Sequence, residues 1–269
     1  MKLLTTLLSL LDFQTEAMPQ GYGLFHFFFI FLAIGVTLFL CFKFKNCSDK
    51  AFRIIALICW LIMTTFEIYK QFVYSYSVEP TLIEWDYQWY AFPYQLCSTP
   101  LYVLPFIFLQ RDSKFRDAFI AYMGTFSLFA GTAVFCYPGD VFSHVVGISI
   151  QTMVHHGLQI VLGVFFLVYS RKKINFLFFL KSIPVFASLV TVAMIANEAF
   201  MLLGIDETFN MFFISRHFDC TLPLLSLIYP KVHYIFFAAL YIFGFTLIAF
   251  IVFLIARGFS KIKKRKKAV

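Results

Sequence analysis

Long apolar stretches alternate with short polar connections along almost the whole chain. A helix needs about 20 apolar residues to cross the hydrocarbon core of a bilayer. Seven stretches approach or exceed that length, at approximately residues 22–42, 53–74, 90–110, 117–137, 147–170, 176–203 and 232–256. The pattern therefore predicts an all-α, polytopic membrane bundle of about seven transmembrane helices.

The apolar stretches predict a single transmembrane domain, residues 16–257, with a short segment at either end. Residues 1–15 (MKLLTTLLSLLDFQT) are amphipathic and predict a short interfacial helix. Residues 258–269 predict a basic tail. The connection at 205–230 is long, apolar and broken by two prolines, so it predicts an interfacial or re-entrant segment that covers the bundle from outside.

Composition supports membrane embedding. Hydrophobic residues make up 61% of the chain and charged residues 13%, and the mean hydropathy is +0.83. A soluble domain is nearer half apolar and a quarter charged. The chain also contains 39 phenylalanines, more than a soluble core of 269 residues would bury. A soluble globular protein is excluded, and a multi-pass protein of the cell membrane is indicated.

Basic residues are distributed asymmetrically between the two sides of the predicted bundle. Of the 22 lysines and arginines, 18 fall on one side, in alternate connections and the tail. By the positive-inside rule the N-terminus lies outside and the C-terminus in the cytoplasm. The net charge of +8 then reflects topology and attraction to anionic lipid, and it does not indicate a nucleic-acid partner.

Two ionisable groups interrupt apolar stretches at matched depths. Cys97 lies fourteen residues before Arg111, and the pair His155–His156 ends fifteen residues before Arg171. At 1.5 Å per residue, both groups lie roughly 21–23 Å from the cytoplasmic surface. Ionisable groups inside a membrane indicate function, and a thiol beside an imidazole is the combination that produces a thiolate nucleophile.

Other polar residues reach a similar level. Glu67 and Gln71 are four residues apart and share one helix face. Any one such residue is more often an interhelical hydrogen-bond donor or acceptor than a site. Because lipid satisfies none of these groups, together they predict one polar cavity between spans two, three, five and six. Its predicted lining is Glu67, Gln71, Cys97, His156 and Asn197.

The order and spacing of several short motifs resemble the YwaF-like integral membrane proteins of bacteria. The similarity covers roughly residues 20–255. It rests on Glu67 with Gln71, the Leu-Cys-Ser at Cys97 after Pro93, Gly124 with Pro138, His156–Gly157, and Asn197 followed by Asn210. Animal relatives of that family resemble membrane acyltransferases that use one cysteine and one histidine to move fatty acyl chains between phospholipids.

The resemblance implies a lipid acyltransferase of a bacterial plasma membrane, with phospholipids and lysophospholipids as partners and neither cofactor nor metal. Cys97 would be the nucleophile and His156 the base. Two histidines stand where most relatives have one, so His155 is the alternative base. The implied substrate-binding or orienting residues are Glu67, Gln71, Gln95, Ser98, Asn197 and Asn210.

Two rival classes remain at this point. Buried Glu67, Glu198 and the histidines would also suit a proton-coupled or small-solute transporter. Against transport, the sequence has no inverted repeat and no pair of broken helices in corresponding halves. The third class is a structural membrane protein without catalytic activity.

Overall fold

The computed structural model describes residues 2–78, 83–139 and 141–265. Its helices are α1 (Lys2–Leu11), α2 (Leu24–Lys43), α3 (Asp49–Ser75), α4 (Pro100–Phe108), α5 (Lys114–Tyr122), α6 (Leu128–Cys136), α7 (Val146–Tyr169), α8 (Phe176–Leu180), α9 (Ser182–Leu202), α10 (Leu225–Ile228) and α11 (Tyr234–Arg265). Single 3₁₀ turns occur at Trp89–Ala91, Leu96–Ser98, Met211–Phe213 and Tyr229–Lys231. Strands β1 (Tyr76–Val78) and β2 (Ile83–Trp85) pair antiparallel after α3.

Polar residues between the apolar stretches set where several helices begin. A side-chain oxygen at the cap accepts a backbone N–H of the first turn, which would otherwise lack a partner. Ser48 caps α3, Ser113 caps α5 and Asn175 caps α8 in this way. The caps lie on the basic side of the predicted bundle, where the connections are short.

Six helical segments are long and apolar enough to cross a membrane, which confirms the all-α, polytopic class. They are Leu24–Lys43, Asp49–Ser75, Lys114–Cys136, Val146–Tyr169, Phe176–Leu202 and Tyr234–Phe259. The number of actual crossings stays a prediction, because a seventh apolar helix is shorter than these six.

The third predicted span, 90–110, is helical only over Leu96–Phe108. Pro93 disfavours helical conformation in the residue before it, and Pro100 occupies the first position of α4, where proline is tolerated. Thirteen helical residues cover about 20 Å, less than the 30 Å of a hydrocarbon core. Cys97 therefore lies in an irregular turn at the start of a short helix, not within a full span.

Helix α7 is the central element of the bundle. It packs against α2, α3 and α6, and buried residues occur on all of its faces. Two glycines permit close approach to the neighbouring span. A Cβ at Gly131 would lie 2.7 Å from the His156 carbonyl oxygen, and one at Gly163 would lie 2.9 Å from the Met123 carbonyl oxygen. The span that contacts α7 includes a π-helical turn, Met123–Ser127, between α5 and α6.

The connection between α9 and α11 is packed inward over part of its length. Met211 and Phe212 are fully buried, and Phe212 and Phe213 have left-handed backbones with φ of 59° and 51°. Such φ values are costly for bulky residues and need support from their surroundings.

At the chain ends, α1 lies within the predicted N-terminal segment, and residues 266–269 of the predicted tail lie outside the described residues.

Orientation is testable by reporter fusion. A green fluorescent protein fused after Val269 should fluoresce, whereas the same protein inserted after Gly204 and exported should not, because the basic asymmetry places the two positions on opposite sides. Alkaline phosphatase at the same two positions should give the reverse activities. Phosphatase activity from the Val269 fusion would contradict the predicted orientation.

Candidate functional site

A polar stripe runs along one face of α7. Gln151, His155 and Gln159 are spaced four residues apart, which places their side chains above one another on a helix. All three are buried, with 5%, 2% and 0% of their surfaces exposed. The stripe faces α3 and the Leu96–Ser98 turn, where its hydrogen-bond partners lie.

The backbone of Cys97 is held by two side chains of this stripe. His155 Nε2 lies 3.0 Å from the Cys97 carbonyl oxygen, and Gln159 Nε2 donates a short hydrogen bond to the same oxygen. Because a carbonyl oxygen only accepts, we assign the ring hydrogen to Nε2, which leaves Nδ1 as the basic nitrogen. The Cys97 side chain is half-buried, and Ser98 follows it in the same turn.

Two acceptor atoms beside Cys97 have no partner among the described residues. They are His155 Nδ1 and Gln159 Oε1, and both are buried. A buried acceptor without a hydrogen bond costs about 1–3 kcal/mol, so such atoms in native proteins call for a specific explanation. Each of them could accept one hydrogen bond, from a hydroxyl group or a water molecule. The arrangement therefore places a base and an acceptor on two side chains that contact the backbone of Cys97.

The described hydrogen bond of the His156 ring lies within its own helix and not at Cys97. Its Nδ1 donates to the Thr152 carbonyl oxygen of its own helix at 2.7 Å, so its basic nitrogen is Nε2. Its ring centroid lies 5.9 Å from that of His155, at a steep angle. The structure thus brings His155, and not His156, into contact with the Cys97 backbone. Over the described part of the chain, no three His, Cys, Asp or Glu side chains are grouped to hold a metal ion.

Glu67 is the centre of a buried charged cluster on α3. Its Oε1 lies 2.7 Å from Lys70 Nζ and accepts from Gln71 Nε2 at 2.7 Å, and its Oε2 accepts from Gln151 Nε2 at 3.4 Å. Glu67 therefore reaches the polar stripe through Gln151 and has no direct hydrogen bond with His155. The carboxylate is compensated by an ammonium and two amides, as a buried charge requires.

Lys70 is a site residue that the sequence pattern did not single out, because it is one of the four basic residues on the side predicted to be outside. Its side chain is only 16% exposed. Through its ion pair with Glu67, which accepts from Gln151, the ammonium belongs to the cluster that reaches the polar stripe. The available signal was its position three residues after Glu67, within one helical turn.

Gln71 joins α3 to the segment that leads to Cys97. Its Nε2 donates to the Ala91 carbonyl oxygen at 2.7 Å, and its Oε1 accepts from Tyr87 Oη at 2.7 Å. Thr99 supports the same segment from the other end, through 2.7 Å hydrogen bonds with the Leu96 carbonyl oxygen and with Tyr122 Oη. The turn that carries Cys97 is thus held on both sides.

Three further predicted site residues form a separate cluster that anchors the connection after α9. Gln95 donates to the Asn210 carbonyl oxygen at 2.9 Å and accepts from Phe212 N at 2.7 Å. Asn197 exchanges hydrogen bonds with both backbone groups of Met211, at 3.0 and 2.8 Å. The Asn210 side chain accepts from Ser215 N at 3.1 Å. These amides form hydrogen bonds with the strained backbone around Phe212, and their described partners do not include Cys97.

The fold and the buried polar groups define a multi-pass integral membrane protein with a polar site between its helices. The chain belongs to the TMEM164 family, whose family model matches residues 21–261. The match includes α2 to α9 and every residue of the candidate site. Comparison with curated proteins and with solved structures gives no match.

Proposed function

We propose that this TMEM164-family protein is a phospholipid acyltransferase that carries the acyl chain as a thioester on Cys97. The observation that carries the proposal is the His155 ring 3.0 Å from the Cys97 carbonyl oxygen, with its Nδ1 buried and unpaired. The resemblance to Cys/His acyltransferases supports phospholipids and lysophospholipids as substrates. The family match shows that the chain is a membrane protein, and the acyltransferase activity is our proposal.

The first half-reaction forms the thioester. The Cys97 thiol gives its proton to His155 Nδ1, and the thiolate attacks the ester carbonyl carbon of a donor phospholipid. A C–S bond forms and the ester C–O bond breaks. The departing lysophospholipid oxygen takes the proton back from the imidazole, so that His155 is neutral again.

The second half-reaction transfers the chain. A hydroxyl of an acceptor lysophospholipid gives its proton to His155 and attacks the thioester carbonyl carbon. A C–O bond forms, the C–S bond breaks, and the Cys97 sulfur regains a proton. The acceptor hydroxyl would donate its hydrogen to His155 Nδ1, because this buried nitrogen has no donor among the described residues. Exclusion of water from the buried site would favour transfer over hydrolysis.

The surrounding groups supply electrostatic support. Negative charge develops on the former carbonyl oxygen in both steps, and preorganised donors near that oxygen lower the barrier. Ser98 and Lys70 are the candidates, because Ser98 follows Cys97 in the same turn and Lys70 carries the buried positive charge of the neighbouring cluster. Glu67 would hold Lys70 in place. His155 is assigned as base in preference to His156 because only His155 contacts the Cys97 backbone.

Intermediate trapping tests this proposal. Wild-type protein in nanodiscs should be given a phospholipid with a labelled acyl chain, quenched in acid and digested. The label should appear on the peptide that contains Cys97 and should be released by hydroxylamine, as thioesters are. Adding unlabelled lysophospholipid before the quench should discharge it. Label on exposed Cys136 instead, or no label on any cysteine, would contradict the proposal.

A second function, proton-coupled transport, is favoured by one observation. Glu67 and Lys70 form an ion pair whose side chains are 6% and 16% exposed, and such pairs inside a membrane often mark proton relays. Liposomes loaded with a pH-sensitive dye distinguish the two functions. Proton flux that depends on Glu67, without transfer of acyl label, would favour the transporter.

A further inference from the structure

An apolar groove lies between α6, α7 and α11, far along the chain from the Cys97 turn. Its volume is about 600 Å³, within the range of small-molecule sites. Aliphatic and aromatic side chains form nearly all of its wall. The lining residues are Leu128, Phe129, Thr132, Val164, Leu167, Val168, Arg171, Ile174, Val252, Ile255, Ala256 and Phe259.

A polar pocket adjoins the end of this groove. It has a volume of about 530 Å³ and is lined by Lys45, Asn46, Tyr169, Arg171 and Lys172. Three of its five lining residues are cations, and none is acidic. Arg171 lines both the pocket and the groove, so the two adjoin at this residue.

The Arg171 guanidinium is fixed in position yet retains donor capacity. Its Nη1 donates to the carbonyl oxygens of Lys45 and Val168 at 2.8 and 2.9 Å, and its Nη2 donates a short hydrogen bond to Asn46 Oδ1. A guanidinium has five N–H donors. Two therefore remain for an anion, and a preorganised arginine is well suited to phosphate.

We propose that the groove and the pocket together bind one anionic phospholipid of the surrounding leaflet. An acyl chain would occupy the groove, and the phosphate and anionic headgroup would contact Arg171, Lys45 and Lys172. The occupant follows from charge complementarity at one end of a chain-sized apolar cavity. Because the basic residues here belong to the side predicted to be cytoplasmic, the lipid would come from the inner leaflet. This site is independent of Cys97 and of the proposed acyl transfer.

Lipid selectivity tests the proposal. The full chain should be placed in nanodiscs of phosphatidylcholine with a minority of phosphatidylglycerol, and retained lipids identified by native mass spectrometry. Wild-type protein should retain phosphatidylglycerol in preference to phosphatidylcholine. The variant K45Q/K172Q should lose roughly 5-fold of that preference per removed charge, about 25-fold in all. The matched control K50Q/K114Q removes two exposed lysines of the same face and should behave as wild type.

The groove has its own test. Ile255→Trp fills it, and should reduce retention of phosphatidylglycerol about as much as the lysine variant does. Ile251→Trp is the control, because Ile251 is similarly exposed on the same helix but does not line the groove. Equal retention of the two lipids by the wild type would overturn the proposal. So would a K45Q/K172Q variant no weaker than its control.

Discussion

Replacement of Cys97 by alanine should reduce acyl transfer by at least about 10³-fold, because a nucleophile and its base act as a unit in catalysis. Cys97→Ser should fail almost as completely, since the same imidazole removes a proton from a hydroxyl far less readily than from a thiol. The measurement is the initial rate at which labelled acyl chains move from phospholipid to lysophospholipid in nanodiscs. Cys136→Ala is the control, because this exposed thiol lies outside the site. Transfer at the wild-type rate in Cys97→Ala would contradict the mechanism.

The two histidines should differ in the same assay. His155→Gln should abolish transfer as Cys97→Ala does, and the double variant should be no worse than either single one. His156→Gln should be milder, because its ring is engaged with Thr152 of its own helix. The reverse order, with His156→Gln the more damaging change, would return the role of base to His156.

The long helices could be predicted from the sequence because spanning length leaves a direct signal in hydropathy. The third stretch was predicted too long, since an apolar stretch looks the same whether its backbone is helical or turned. Pro93 and Pro100 were the local indication of the interruption, and they place Cys97 in a turn. That turn exposes the Cys97 carbonyl oxygen to α7, which a regular helix would not.

Which side chains meet across the bundle was less predictable. Spacing shows that Gln151, His155 and Gln159 share a face of α7, but not which neighbour that face meets. Consecutive helical residues point about 100° apart, so the choice between His155 and His156 depends on the position of α3 and the Cys97 turn. Gln159 was missed although it lies four residues after His155.

Several polar residues lie at a similar predicted depth, but the structure does not bring all of them into one cluster. Gln95, Asn197 and Asn210 serve the backbone of the segment after α9, whereas Glu67 and Gln71 belong to the cluster near Cys97. Depth along a helix is readable from sequence because the rise per residue is constant. Position around the bundle is not, since it depends on packing between residues far apart in the chain.

At the basic end of the bundle, a buried arginine contacts two aspartates, and its removal is expected to lower the stability of the fold. Arg116 is 1% exposed at the start of α5, and its Nη1 lies 2.6 Å from Asp49 Oδ1. Its Nη2 lies 3.3 Å from Asp112, and its guanidinium carbon lies 5.5 Å from the Phe52 ring centre. A hydrogen bond from Lys173 holds the pKa of Asp112 below its usual value, so this carboxylate is charged at neutral pH. The buried guanidinium of Arg116 thus joins α3 to α5 through charge-assisted contacts with two partly exposed carboxylates.

Arg116→Ala should lower the free energy of unfolding by about 2 kcal/mol, because it removes two charge-assisted hydrogen bonds and leaves a cavity beside Phe52. Arg116→Lys should recover only part of the loss, since an ammonium lacks the fork that contacts both aspartates. Thermal unfolding in detergent, followed by size-exclusion chromatography, measures the order of the variants. Arg111→Ala is the matched control, because it removes an exposed positive charge from the same connection and should change stability little. Equal stability of Arg111→Ala and Arg116→Ala would show that the buried guanidinium does not hold α3 and α5 together.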